Sequence, residues 1–122
     1  MKKQILLIED SETQALVFKS TVGNLVKEFN HELIVFGNGL EALEYVKNNQ
    51  ELIDLVILDL NLSDISGFDI LSEISKFKTK LPVIVLSADS DKDLIVKSMK
   101  LGASNYFVKA SSKEKPNSVF WA

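Results

Sequence analysis

Apolar residues along this chain fall into short consecutive runs, separated by longer stretches in which they recur every third or fourth position. Ile5-Leu6-Leu7-Ile8, Leu33-Ile34-Val35-Phe36, Leu55-Val56-Ile57-Leu58 and Val83-Ile84-Val85-Leu86 are the strong runs, and Tyr106-Phe107-Val108 is a weaker fifth. Consecutive β-branched, aliphatic and aromatic side chains predict strands buried on both faces, as in a parallel sheet. Between the runs, Ala15, Phe18, Val22, Leu25, Val26 and Phe29 keep a helical period, as do Leu40, Leu43 and Val46. Phe68, Leu71 and Ile74 make a third stripe, and Leu94, Ile95, Ser98, Met99 and Leu101 a fourth. Ser11-Glu12-Thr13-Gln14 predicts a capping box, the Ser11 hydroxyl covering the Gln14 amide and the Gln14 side chain reaching back. Ser90-Asp91-Lys92-Asp93 predicts a similar cap for the fourth helix and Gly102 its stop. Pro82 stands where the fourth strand opens and its missing N–H does least harm.

The order is therefore β-α-β-α-β-α-β-α-β, an α/β chain. Right-handed crossovers place helices on both faces of the sheet, a doubly wound arrangement whose ligands bind beyond the carboxyl ends of the strands. At those ends the chain carries Glu9-Asp10, Asp59, Ser87 and Lys109. Any one of them reads as a turn or cap residue. Their convergence from four strands onto one rim does not.

With 122 residues the chain fits one domain, and 46% hydrophobic with 25% charged residues is the composition of a globular core. The net charge of −3 offers no footprint for direct nucleic-acid contact or for an anionic membrane. No apolar run approaches the roughly 18 residues of a membrane span. The first run ends at Glu9-Asp10, too early for a signal peptide. The absence of cysteine excludes disulfides and thiolate metal sites and fits a cytoplasmic setting. His31, the single histidine, is expected at the surface.

The rim residues carry the chemistry. Two carboxylates about 4 Å apart repel by roughly 4 kcal/mol at an effective dielectric of 20, so three around one pocket call for a cation. Oxygen donors alone select a hard ion, and Mg²⁺ is the one that keeps its waters while bridging to phosphate oxygens. A carboxylate is also a nucleophile able to form an aspartyl-phosphate. A lysine such as Lys109 and a hydroxyl such as Ser87 would then neutralise and bond the transferred oxygens.

Leu7-Ile8-Glu9-Asp10-Ser11, the stretch from Asp59 to Gly67, Ser87-Ala88, and the stretch from Gly102 to Lys109 together resemble a bacterial response-regulator receiver domain over most of the chain. The resemblance implies a flavodoxin-like five-stranded parallel sheet of order 2-1-3-4-5. It implies that Asp10 binds Mg²⁺ directly and Glu9 through water, that Asp59 is both phospho-acceptor and metal ligand, and that the Asn61 carbonyl completes the set. Ser87 is implied as the switch hydroxyl, Tyr106 as the switch aromatic and Lys109 as the phosphate-contacting lysine. The implied partner is a sensor histidine kinase or histidine phosphotransfer protein supplying a phosphohistidine, with a downstream effector protein reading the surface of the fourth helix and fifth strand. Such a module catalyses only its own phosphorylation and slow dephosphorylation, and is not an enzyme with an external substrate.

Two departures accompany the resemblance. Family members usually carry proline after the lysine, where this chain has Ala110, so a trans peptide is expected there. Residues 1–110 form the expected core, and residues 111–122 replace a full fifth helix with a short tail interrupted by Pro116. Val119-Phe120-Trp121 is expected to fold back on the sheet, or a neighbouring chain to cover that face, giving a monomer or a weak homodimer. The chain reads as a stand-alone regulator or as a receiver cut from a longer protein.

Three rival readings remain. Gly37-x-Gly39-x-x-Ala42 follows a strand and opens a helix, as a dinucleotide fingerprint does, but leaves the rim residues unexplained. A haloacid-dehalogenase-like phosphatase shares the aspartyl nucleophile, yet needs a second acid where this chain has Asn61. A degenerate receiver acting as an interaction module is the third. Asp64, Asp69, Asp89, Asp91 and Asp93 read as turn, cap or solvated residues.

Overall fold

A computed structural model describes residues 3–28 and 30–109. The elements run β1 (Lys3–Ile8), α1 (Glu12–Glu28), β2 (His31–Phe36), α2 (Gly39–Asn48), a single 3₁₀ turn (Gln50–Leu52), β3 (Ile53–Asp59), α3 (Gly67–Ser75), β4 (Val83–Ser87), α4 (Lys92–Lys100) and β5 (Asn105–Val108). The strands form one five-stranded sheet in the order β2-β1-β3-β4-β5, parallel throughout. The α/β fold and strand order expected from the sequence are the ones observed. The tail from Ala110 to Ala122, with the expectations placed on Ala110, Pro116 and Val119-Phe120-Trp121, lies outside the described residues.

Strand alternation divides the core between the two faces of the sheet. Leu6, Ile8, Val56, Leu58, Val83 and Val85 point to one face and meet Ala42, Leu43 and Val46 of α2 and Ile70, Leu71 and Ile74 of α3. Leu7, Ile57 and Leu86 point to the other and meet Ala15 and Phe18 of α1. Successive strand residues are thus buried on opposite sides, which is why the runs are apolar at every position. Each large side chain buried this way contributes about 1.5–3 kcal/mol.

The helical stripes hold with two exceptions: Leu40 and Met99 are exposed. In α2 the small Gly39 faces inward instead of Leu40, because the helix starts against Leu62, Ile65 and Ile70; a Cβ on Gly39 would stand 2.5 Å from Ile65. In α4 the innermost position is Ser98, fully buried with its hydroxyl bonded to the Leu94 carbonyl at 2.9 Å. Leu25, Val26 and Phe29 lie outside the described side chains.

The caps differ from expectation in detail. Ser11 Oγ does accept from the Gln14 amide at 3.2 Å. The reciprocal half of the box is absent, because the Ser11 amide donates to Glu9 Oε2 at 3.3 Å and the Gln14 side chain accepts from Lys109 instead. Asp91, one residue beyond Ser90, caps α4 by accepting from the Asp93 amide at 2.8 Å. At the other end Gly102 takes φ +115°, with the Gly102 and Ala103 amides bonded to Met99 and Ser98 carbonyls. That is a Schellman stop, and the conformation favours glycine. His31 is half-buried rather than at the surface. It opens β2, and its Nε2 lies 2.8 Å from Asp54 Oδ2 at the start of β3.

Candidate functional site

The carboxyl ends of β1, β3, β4 and β5 lie side by side because the parallel register aligns Ile8 with Leu58, Asp59 with Leu86, and Ser87 with Val108. Glu9 follows β1 and donates its amide to the Phe36 carbonyl at 2.9 Å, so the ladder carries on one residue past Ile8. Asp59 and Ser87 are the last residues of their strands, one position earlier than the sequence pattern predicts. The Lys109 amide donates to the Ser87 carbonyl at 2.7 Å, which extends β5 and fixes where the lysine side chain begins.

Glu9, Asp10 and Asp59 each bring a carboxylate oxygen within 4.8 Å of the others. Glu9 and Asp59 are only 4% exposed, and Asp10 is half-buried. The Lys109 ammonium, on a side chain 8% exposed, lies 2.6 Å from Glu9 Oε1 and 3.2 Å from Asp59 Oδ2. Loop amides complete the frame: Asn61 donates to Asp59 Oδ1 and Ser63 to Asp10 Oδ2, both at 3.0 Å. Ser87 is buried at the same rim, its Oγ accepting from the Asp89 amide at 3.1 Å. Tyr106, half-buried on β5, donates its hydroxyl to the Asp89 carbonyl at 2.7 Å. The β4–α4 turn is therefore held both by the hydroxyl of Ser87 and by that of Tyr106.

Burial pushes Glu9 up from 4.5 to about 7, the hydrogen bond and negative charge of Asp59 push the same way, and Lys109 opposes them only in part. The folded chain consequently holds a proton on Glu9 that the unfolded chain has released between pH 4.5 and about 7. Stability must fall as pH rises through that window, by up to about 1.4 kcal/mol per pH unit. Melting in chelating buffer from about pH 5.5 to 8 checks this. Wild type should lose stability relative to Glu9→Gln, and parallel profiles would refute it.

Two residues at the rim escaped the sequence reading. Gln14 touches the lysine of a strand 95 positions away. Asp64, read as a turn, cap or solvated residue, caps a helix other than its neighbour: its carboxylate accepts from the Gly39 amide at 3.0 Å and the Leu40 amide at 2.9 Å. Those bonds, chiefly that of Leu40, hold its carboxyl below the usual range. No local pattern could signal either contact. Because Asp64 and the Asn38 side chain occupy the first amides of α2, the glycine pair there is not a phosphate cradle. The dinucleotide reading fails on that point.

The response regulator receiver domain family matches residues 5–118. The chain belongs to that family. Relatives include the two-component response regulator ARR10 of Arabidopsis thaliana, 31% identical over 87% of this receiver and 18% of the relative. Plant as well as bacterial proteins match, so the likeness is wider than the bacterial one expected. Among solved structures, the phosphorylated cyanobacterial phytochrome response regulator RcpA is 30% identical with a TM-score of 0.82, covering 92% of this chain and 84% of its own. The Mn(2+)-bound form of response regulator Rcp1 is 29% identical with a TM-score of 0.79, covering 91% and 84%. The receiver spans 14–22% of the length of the curated relatives it matches. It is a signalling module of two-component systems. Receiver domains bind a divalent metal at an acidic pocket, and in this chain Glu9, Asp10 and Asp59 form an acidic cluster. Among the described residues no helix is long and apolar enough to cross a membrane.

Proposed function

We propose that this receiver takes a phosphoryl group from a phosphohistidine donor onto Asp59 and converts the new charge into a changed α4–β5 surface. The observation that carries the reading is the buried Asp59 carboxylate, clustered with Glu9 and Asp10 and paired at 3.2 Å with the Lys109 ammonium. The all-oxygen donor set fits Mg²⁺, with Asp10, Asp59 and the Asn61 carbonyl as ligands and Glu9 through water. When bound, the ion supplies the positive charge that a carboxylate nucleophile and an incoming phosphoryl group both need.

The chain's own residues do the rest. The Asn61 amide and Lys109 fix the two oxygens of Asp59, leaving lone pairs free for attack in line with the leaving histidine nitrogen. The new O–P bond forms as the donor's N–P bond breaks, and the electron pair leaves on the imidazole. Lys109 and the Ser87 hydroxyl donate to the transferred oxygens. Drawing Ser87 toward them disturbs its bond with the Asp89 amide, and Tyr106 holds the carbonyl of that same residue. This links the acceptor to α4 and β5 through one turn. A sensor kinase or phosphotransfer protein carries such a phosphohistidine, and an effector protein reads the altered face.

Incubation with acetyl phosphate and Mg²⁺ tests the reading. The intact mass should rise by about 80 Da, mapping to Asp59. Chelation should abolish the gain, and Asp10→Asn should lose most of the thermal stabilisation that Mg²⁺ gives wild type. A gain mapping elsewhere, or one indifferent to chelation, would sink it.

A further inference from the structure

The acidic pocket is closed on the α1 side by a ring of hydrogen bonds. Glu9 Oε2 accepts from the Ser11 amide at 3.3 Å, and Ser11 Oγ accepts from the Gln14 amide at 3.2 Å. Gln14 Oε1 accepts from Lys109 Nζ, which returns to Glu9 Oε1 at 2.6 Å. A lysine ammonium has three protons, and here it meets three acceptors: Glu9 Oε1, Asp59 Oδ2 and Gln14 Oε1. Two of the three are carboxylates that a metal or a phosphoryl group would compete for. The third is neutral and is anchored through its own backbone to the first turn of α1. The capping function expected of its side chain is already met by Glu9, so Gln14 is free for the lysine.

We propose that Gln14 is a positioning residue for Lys109. Its amide carbonyl keeps the ammonium over the acceptor carboxylate when Glu9 and Asp59 are engaged elsewhere. The phosphoryl oxygens then meet a donor already in place, and little reorganisation remains for the transfer step. The role rests on the reading of Asp59 as acceptor. The contact itself does not.

Gln14→Leu keeps the bulk and removes the acceptor, whereas Gln14→Glu keeps an acceptor. With saturating Mg²⁺, labelling of Gln14→Leu by acetyl phosphate should slow roughly five- to tenfold, the worth of one charge-assisted bond partly open to water. Gln14→Glu should stay within about twofold of wild type, and the Mg²⁺-induced melting shift of the uncharged Gln14→Leu should match that of wild type. In a Lys109→Met background Gln14→Leu should have no further effect on labelling; an additive loss there would show a merely structural role and overturn the proposal. A second readout needs no phosphorylation. Acylation of Lys109 by an amine-reactive ester, followed by mass spectrometry, should accelerate in Gln14→Leu and not in Gln14→Glu. Equal protection in all three proteins would overturn the contact. Wild type that takes no label on Asp59 but keeps the acylation pattern would overturn the acceptor reading, and with it the positioning role.

Discussion

Asp59→Asn is expected to leave the mass of the protein unchanged after acetyl phosphate and Mg²⁺, whereas wild type gains a phosphoryl group. The amide has nearly the shape of the carboxylate and still offers an oxygen to the Asn61 amide, so the loop after β3 keeps its frame. What it lacks is the charge that makes the oxygen a nucleophile. The same substitution takes one of three clustered negative charges out of a pocket that holds one ammonium. In chelating buffer the variant should therefore be more stable than wild type, by on the order of 1 kcal/mol, and the difference should shrink when Mg²⁺ is added. Undiminished labelling of Asp59→Asn would end the assignment of the acceptor. A variant that is less stable than wild type without metal would contradict the account of crowded charge.

Removing the ammonium should do the opposite to stability. Lys109→Met retains length and apolar bulk but strands Glu9 and Asp59, both 4% exposed, without their counter-charge. Deleting one member of a buried pair costs about 3–5 kcal/mol when the other stays ionised. Here the pocket has an escape. Glu9 already titrates near 7, and loss of the lysine, which holds it down, moves it higher. A raised carboxyl stabilises the folded state below its unfolded value of 4.5 and gives up that stability as pH rises through the folded value. The deficit of Lys109→Met should thus be smaller near pH 6, where Glu9 keeps its proton, and approach the full figure near pH 8.5. Mg²⁺ should recover part of it at the higher pH. Urea melts at the two pH values with and without chelator decide the matter. An equal deficit at both would mean that the lysine matters for packing and not for charge.

Both variants act at residues that could be found without coordinates, and the reason is physical. A parallel sheet forces strand ends onto one edge, so locating the apolar runs locates Glu9, Asp10, Asp59, Ser87 and Lys109 as neighbours. The buried strands were legible because both faces are covered, leaving no polar position to blur the run from Leu55 to Leu58. Helix faces were less legible where packing overrode hydrophobicity. Leu40 is apolar and exposed, because α2 approaches the loop after β3 so closely that only Gly39 fits there. Ser98 is polar and buried, because its hydroxyl turns back on its own helix. The contacts of Gln14 and Asp64 were not legible at all. Each is a side chain whose local surroundings predict a short-range role, while its partner lies 95 and 24–25 positions away.

The Lys109–Glu9 bond joins residues 100 positions apart, the first strand's end to the last strand's. Synthesis therefore sets an order of events. A chain that has emerged only through β4 already owns all three carboxylates but not their lysine, which follows the edge strand β5. Such a nascent chain has its three carboxylates without that ammonium. The charge balance of the pocket is therefore complete only once the chain has been made through Lys109.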